Sequence, residues 1–102
     1  MMRQIDFRGM ARLDVEETAN RLEQSDPRLA FRFRKAVRAA AELAAFFPKL
    51  GRLLVRKRSR LHGARYLILK GFRNHVLYYQ PTKKGIIVLR VLRGSRDLDQ
   101  LE

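Results

Sequence analysis

The sequence predicts an α+β fold: a two-helix hairpin packed on a small, mostly antiparallel sheet, in the order β-α-α-β-β-β-β or with one strand fewer. Three observations carry that expectation. Between Arg65 and Asp97, β-branched and aromatic residues recur at a spacing of two, the period of strands. Between Met10 and Phe47, apolar residues recur at spacings of three and four, the period of helices. Ser25-Asp26-Pro27 divides that helical stretch, since Asp26 can cap a new helix whose first turn tolerates Pro27.

In chain order, Arg3–Phe7 reads as a short strand with Ile5 and Phe7 facing inward, ended by Gly9. A helix from about Met10 to Gln24 follows, with Met10, Leu13 and Glu17 in one row and Val15, Ala19 and Leu22 in another. Asp14, Glu16 and Glu17 lie near its N-terminal end, where exposed amides favour negative charge. The second helix runs to about Phe46, with an apolar stripe of Leu29, Phe33, Val37, Ala40, Ala44 and Phe47. Arg28, Arg32, Lys35 and Arg38 take its opposite side, its alanines permit close packing, and Pro48 and Gly51 stop it. Gly51–Arg60 reads as an edge strand, because Arg56–Arg60 is too charged for a central one, and Leu61–Ala64 as a turn. The strands Arg65–Lys70, His75–Gln80 and Ile86–Arg93 then form hairpins through Gly71–Asn74 and Pro81–Gly85. On the last strand, Ile86, Val88, Arg90 and Leu92 alternate with Ile87, Leu89, Val91 and Arg93. Asp97–Glu102 is expected to be a tail or single turn.

At 102 residues the chain is expected to be one domain, 1–102, with a single modest core. It has no cysteine, which excludes disulfides and thiolate zinc sites and suits a cytoplasmic location. No apolar run approaches a membrane span, and MMRQIDF is not a secretory leader. Charge is more informative. Of the net +13, residues 1–42 contribute nine basic and seven acidic groups, whereas Leu43–Arg96 carries fourteen basic residues and no acidic one. Such a field calls for a counter-charge, either a nucleic acid or an acidic protein.

Catalytic sets are sparse. Leu43–Arg96 lacks any carboxylate for a general base or a hard-metal site, and no glycine-rich phosphate loop is present, so neither metal nor cofactor is expected. A metal-free ribonuclease would draw on Arg60, His62, Arg65, Arg73, His75, Tyr78, Arg90 and Arg96 to orient RNA and move protons. Tyr66, Tyr78 and Tyr79 suit core packing better than base stacking.

Several segments together resemble a known family. Pro48-Lys49-Leu50-Gly51-Arg52, Arg65-Tyr66-Leu67-Ile68, Leu77-Tyr78-Tyr79 and Arg90-Val91-Leu92-Arg93-Gly94-Ser95-Arg96-Asp97 occur in this order, after Ala11–Val15 and Asp26-Pro27 at the helix starts. In that order and spacing they are similar to the ParE/RelE superfamily of bacterial type II toxin–antitoxin toxins, with Arg93 replacing a common histidine of the closing motif. The resemblance implies the RelE/ParE-like toxin fold and covers nearly the whole chain.

The resemblance also implies one of two activities. RelE-like toxins are ribosome-dependent mRNA endoribonucleases; ParE-like toxins lack the ribonuclease residues and, where studied, poison DNA gyrase. The ribonuclease branch would carry basic residues where this chain has Leu67 and Leu69, and an arginine where it has Val76; Arg96 does match, but no tyrosine follows it here. The expectation is therefore a growth-inhibiting, ParE-like DNA gyrase inhibitor without catalytic residues, neutralised by a small acidic antitoxin. The alternatives are a ribonuclease using Arg96, Arg65, Arg73, His75 and Tyr78 on ribosome or mRNA, or a toxin-derived nucleic-acid-binding protein. Target or partner binding is expected at Arg56, Lys57, Arg58, Arg60, Arg65, Arg73, Arg90, Arg93 and Arg96.

Overall fold

A computed structural model describes residues 3–94 and Leu98. Within them lie β1 (Gln4–Phe7), α1 (Gly9–Ser25), α2 (Pro27–Phe46), β2 (Arg52–Leu53), β3 (Arg65–Leu69), β4 (Phe72–Pro81) and β5 (Gly85–Arg93). The strands form one five-stranded sheet in the order β1-β5-β4-β3-β2. Neighbours are antiparallel except β1, which runs parallel to β5 with Gln4 opposite Gly85 and Phe7 opposite Val88. The predicted element order and the helical layer on one face of the sheet are both present.

The α1–α2 boundary forms as Asp26-Pro27 dictates. The Asp26 carboxylate accepts a hydrogen bond from the Arg28 amide at 3.0 Å, and Pro27 begins α2. The buried face of α2 comprises Ala30, Phe33, Val37, Ala40, Ala41, Ala44 and Ala45, small enough for the helix to lie close on the sheet. Phe47, expected on this stripe, is 61 % exposed: it leaves helical geometry, with φ −127° and ψ 75°, so the helical period does not reach it. On α1 the buried set is Ala11, Thr18 and Ala19, with Val15 and Leu22 partly covered. The row of Met10 and Leu13 faces solvent, because α1 meets α2 and β5 through its other stripe.

Three strand expectations change. Only Arg52–Leu53 of the predicted edge strand pairs, although it is indeed an edge. The charged segment instead closes a loop on itself: the Ser59 amide donates to the Arg56 carbonyl at 2.9 Å, the His62 amide to the Ser59 carbonyl at 3.1 Å, and the Arg56 amide to His62 Nδ1 at 3.0 Å. These internal bonds replace strand pairing. The first hairpin link is just Lys70-Gly71, with Leu69 opposite Phe72, so β4 begins at Phe72 rather than His75. Gly71 makes this tight turn possible with φ of 84°, which side-chain-bearing residues rarely adopt.

The third change concerns β5. Tyr79 opposes Val88 while Tyr78 opposes Arg90, so β5 carries one extra residue at this point. This bulge breaks the predicted alternation. Val88 and Val91 both enter the core beneath the helices, with Leu69, Leu77, Tyr79 and Ile86. On the other face Val76, Tyr78 and Leu92 form a second cluster with Leu61, Ala64 and Leu98, so the basic loop roofs part of the sheet. Leu98 is the only residue of the closing segment 97–102 to be described.

Candidate interaction surface

The Pro48–Arg52 motif is held from two sides. The Tyr79 hydroxyl donates to the Pro48 carbonyl at 2.7 Å and accepts from the Gly51 amide at 2.9 Å. The Arg65 guanidinium donates to the carbonyls of Gly51 at 2.8 Å and Lys49 at 3.4 Å. A side chain at Gly51 would put its Cβ 2.7 Å from the Tyr79 oxygen and 2.9 Å from the Tyr66 carbonyl oxygen. The strand pair β3–β4 thereby fixes the exit of α2 and the start of β2. Arg65, expected at a binding surface, makes both of these internal bonds through Nη1.

Arg90 is likewise engaged within the molecule. Its guanidinium donates to both Asp14 oxygens, at 2.7 and 2.9 Å, and the same carboxylate accepts from the Val91 amide at 3.0 Å. Tyr78 is 4 % exposed, and burial pushes its phenol above the usual range. His75 stands edge-on to Phe33 and Phe72, with ring centroids 5.2 and 6.2 Å away. Tyr66 tilts against Tyr78, so the strand aromatics serve the packing.

The remaining basic residues fall into two groups rather than one surface. Arg56, Lys57, Arg58 and Arg60 belong to the loop ahead of β3, whereas Arg73 and Arg93 lie at the other end of that strand, beside the Lys70-Gly71 turn. Arg96 lies outside the described residues. Of the candidates for a ribonuclease site, Arg73 and His75 line one cavity, while Arg65 and Tyr78 lie elsewhere.

Apolar surface was less legible in the sequence. A groove of about 800 Å³ lies between β1 and the helix hairpin, with Ile5, Phe7, Val15, Val37 and Ala41 in its lining. Arg12, Arg34 and Arg38 also line it, and Glu16 pairs with Arg34 at 2.6 Å, which holds the Glu16 carboxyl below its usual range. Leu43, Phe46, Phe47 and Leu50 are exposed around the end of α2. Their local helical spacing resembles core spacing, and only the sheet's position reveals which side is uncovered.

Among the described residues, no cluster of His, Cys, Asp and Glu is suited to a metal ion, and no helix is long and apolar enough to cross a membrane. No curated protein matches the chain significantly. A family model described as the ParE toxin of the type II toxin-antitoxin system, parDE, matches residues 5–98, from β1 through the closing motif. The hairpin on a five-stranded mixed sheet accords with that match, and the chain belongs to the ParE toxin family of type II toxin–antitoxin systems.

Proposed function

We propose that this ParE-family protein inhibits DNA gyrase without catalysing a reaction, and that a small acidic antitoxin neutralises it. One observation carries the non-catalytic reading. Leu67, Leu69 and Val76 stand where the ribonuclease branch would carry its basic residues, and here they are packing groups: Leu69 and Val76 are buried in the two clusters and Leu67 is packed against the first. Aliphatic side chains neither hold phosphate nor donate protons. Of the alternative catalytic set, Tyr78 is buried in the packing and Arg65 donates through Nη1 to the Gly51 carbonyl, which supports the same reading.

The antitoxin reading draws on charge and shape together. The groove beside β1 offers apolar lining together with Arg12 and Arg38, Arg34 there being paired with Glu16, and among the described residues β1 is an open edge of the sheet. An acidic segment that orders on binding would add apolar anchors to ion pairs there. Gyrase supercoiling and cleavage-complex assays, run beside mRNA cleavage on programmed ribosomes, test the target. Gyrase inhibition without mRNA cleavage is expected. Ribosome-dependent cleavage with unaffected gyrase would overturn the proposal.

A further inference from the structure

We propose that the cavity between α1 and the β3–β4 turn is an anion site that seats a phosphodiester group of a nucleic-acid strand. It is separate from the groove beside β1, and the proposal does not depend on which target the toxin inhibits. The cavity measures about 360 Å³, and Arg21, Arg73 and Arg93 all line it. Thr18, Ser25 and Asn74 add two hydroxyls and a side-chain amide. No carboxylate lines it among the described residues.

Charge and geometry point to the same ligand. Arg21 and Arg73 make no ion pair with any described residue, in contrast to Arg28, Arg34 and Arg90, which each hold an acidic side chain. Two guanidinium groups that share a cavity without a counter-ion repel one another, and an anion between them removes that repulsion. Arg21, Thr18 and Ser25 come from α1, and Arg73 and Asn74 from the start of β4, so donors of two elements line the cavity from different sides. Donors from several directions fit a tetrahedral oxyanion, with its several acceptor atoms, better than a planar carboxylate. The volume admits a phosphate group but not a folded partner, and a strand lying across the opening would present one phosphate to it. The walls are also firm: Phe72 packs edge-on to Phe33 at 5.4 Å, and the turn at Gly71 is tight.

Two measurements test this on the full chain. In the first, amide chemical shifts of the wild-type protein are followed while inorganic phosphate, or acetate in a parallel series, is added. Phosphate-induced shifts concentrated at Thr18, Ser25 and Gly71–Asn74 are expected. Shifts centred on Arg56–Arg60, or an equal response to acetate, would overturn the site. In the second, a fluorescent DNA duplex is titrated against wild type, R21Q/R73Q and K57Q/R58Q, which remove equal charge. The cavity variant is expected to lose about ten-fold in affinity and about one unit of salt slope, the loop variant markedly less. Equal losses would reduce the effect to diffuse charge and overturn a seated phosphate. Phosphate binding with no duplex effect would overturn the nucleic-acid source. If R21Q/R73Q does not fold, R73Q alone is titrated with the duplex against R58Q, with the same outcomes expected.

Discussion

Asp14 and Arg90, seventy-six positions apart, meet in a bidentate ion pair whose side chains are only 10 % and 17 % exposed. The Asp14 carboxylate also takes the Val91 amide, three residues beyond Val88, where the pairing of β5 with β1 ends. One carboxylate therefore ties α1 to both the side chain and the backbone of β5.

Removing that carboxylate takes away the bidentate partner of a largely buried guanidinium and the acceptor of the Val91 amide. Asp14→Asn is expected to destabilise the protein by about 3 kcal/mol. Urea unfolding measures it, and Asp14→Asn combined with Arg90→Met should lose less than Asp14→Asn alone. A double variant as unstable as the sum of the single changes would show that the two residues act separately.

The clamp between Tyr79 and Gly51 is sensitive in two chemically different ways. Tyr79→Phe removes one donor and one acceptor, leaving the Gly51 amide unmatched, at roughly 1–3 kcal/mol. Gly51→Ala instead forces a methyl against the Tyr79 ring and the Tyr66 carbonyl, and should destabilise by about 1–3 kcal/mol. Because the ring stays in place, Tyr79→Phe is not expected to rescue Gly51→Ala. Thermal melts of the three variants check this.

Leu69 is fully covered beneath the helices. Truncation to alanine should cost about 2–5 kcal/mol through lost burial and the cavity left behind. A denaturant midpoint equal to wild type, with inhibitory activity retained, would remove Leu69 from the core.

Stability should fall at both ends of the pH scale. Arg34 beside Glu16 and Arg28 beside Asp26 hold both carboxyls below their usual ranges. Their folded pKa values lie below the unfolded ones, so this contribution is present above the unfolded values and is lost as acid protonates them. Burial raises the Tyr78 phenol in the folded state, so that contribution is complete below the ordinary phenol value of about 10 and is lost as pH rises through the folded value. In melts between pH 9 and 11, Tyr78→Phe should show a shallower alkaline loss than wild type; parallel curves would exclude Tyr78 as a source.

For the antitoxin complex, added salt should slow association much more than it weakens affinity, since buried apolar anchors are not screened. Duplex DNA binding should instead weaken steeply with salt through counterion release. Stopped-flow mixing with the acidic partner and equilibrium DNA titrations over one salt series separate the two behaviours.

By itself the sequence determined the local elements. The capped start of α2, the period-two strands and the glycine turn need only nearby side chains and backbone preferences, so Asp26-Pro27, Arg65–Leu69 and Gly71 could be read directly. The family motifs were legible too, but not the work of each residue within them. Arg65 and Arg90 belong to the same basic excess as Lys57 and Arg58, yet the first two are held internally while Lys57 and Arg58 remain exposed. Only the tertiary structure decided this, because a guanidinium's role depends on which distant carbonyl or carboxylate it meets. It also decided that Arg90 and Val91 both serve the helix side, since one extra residue at the bulge transfers every later side chain to the opposite face.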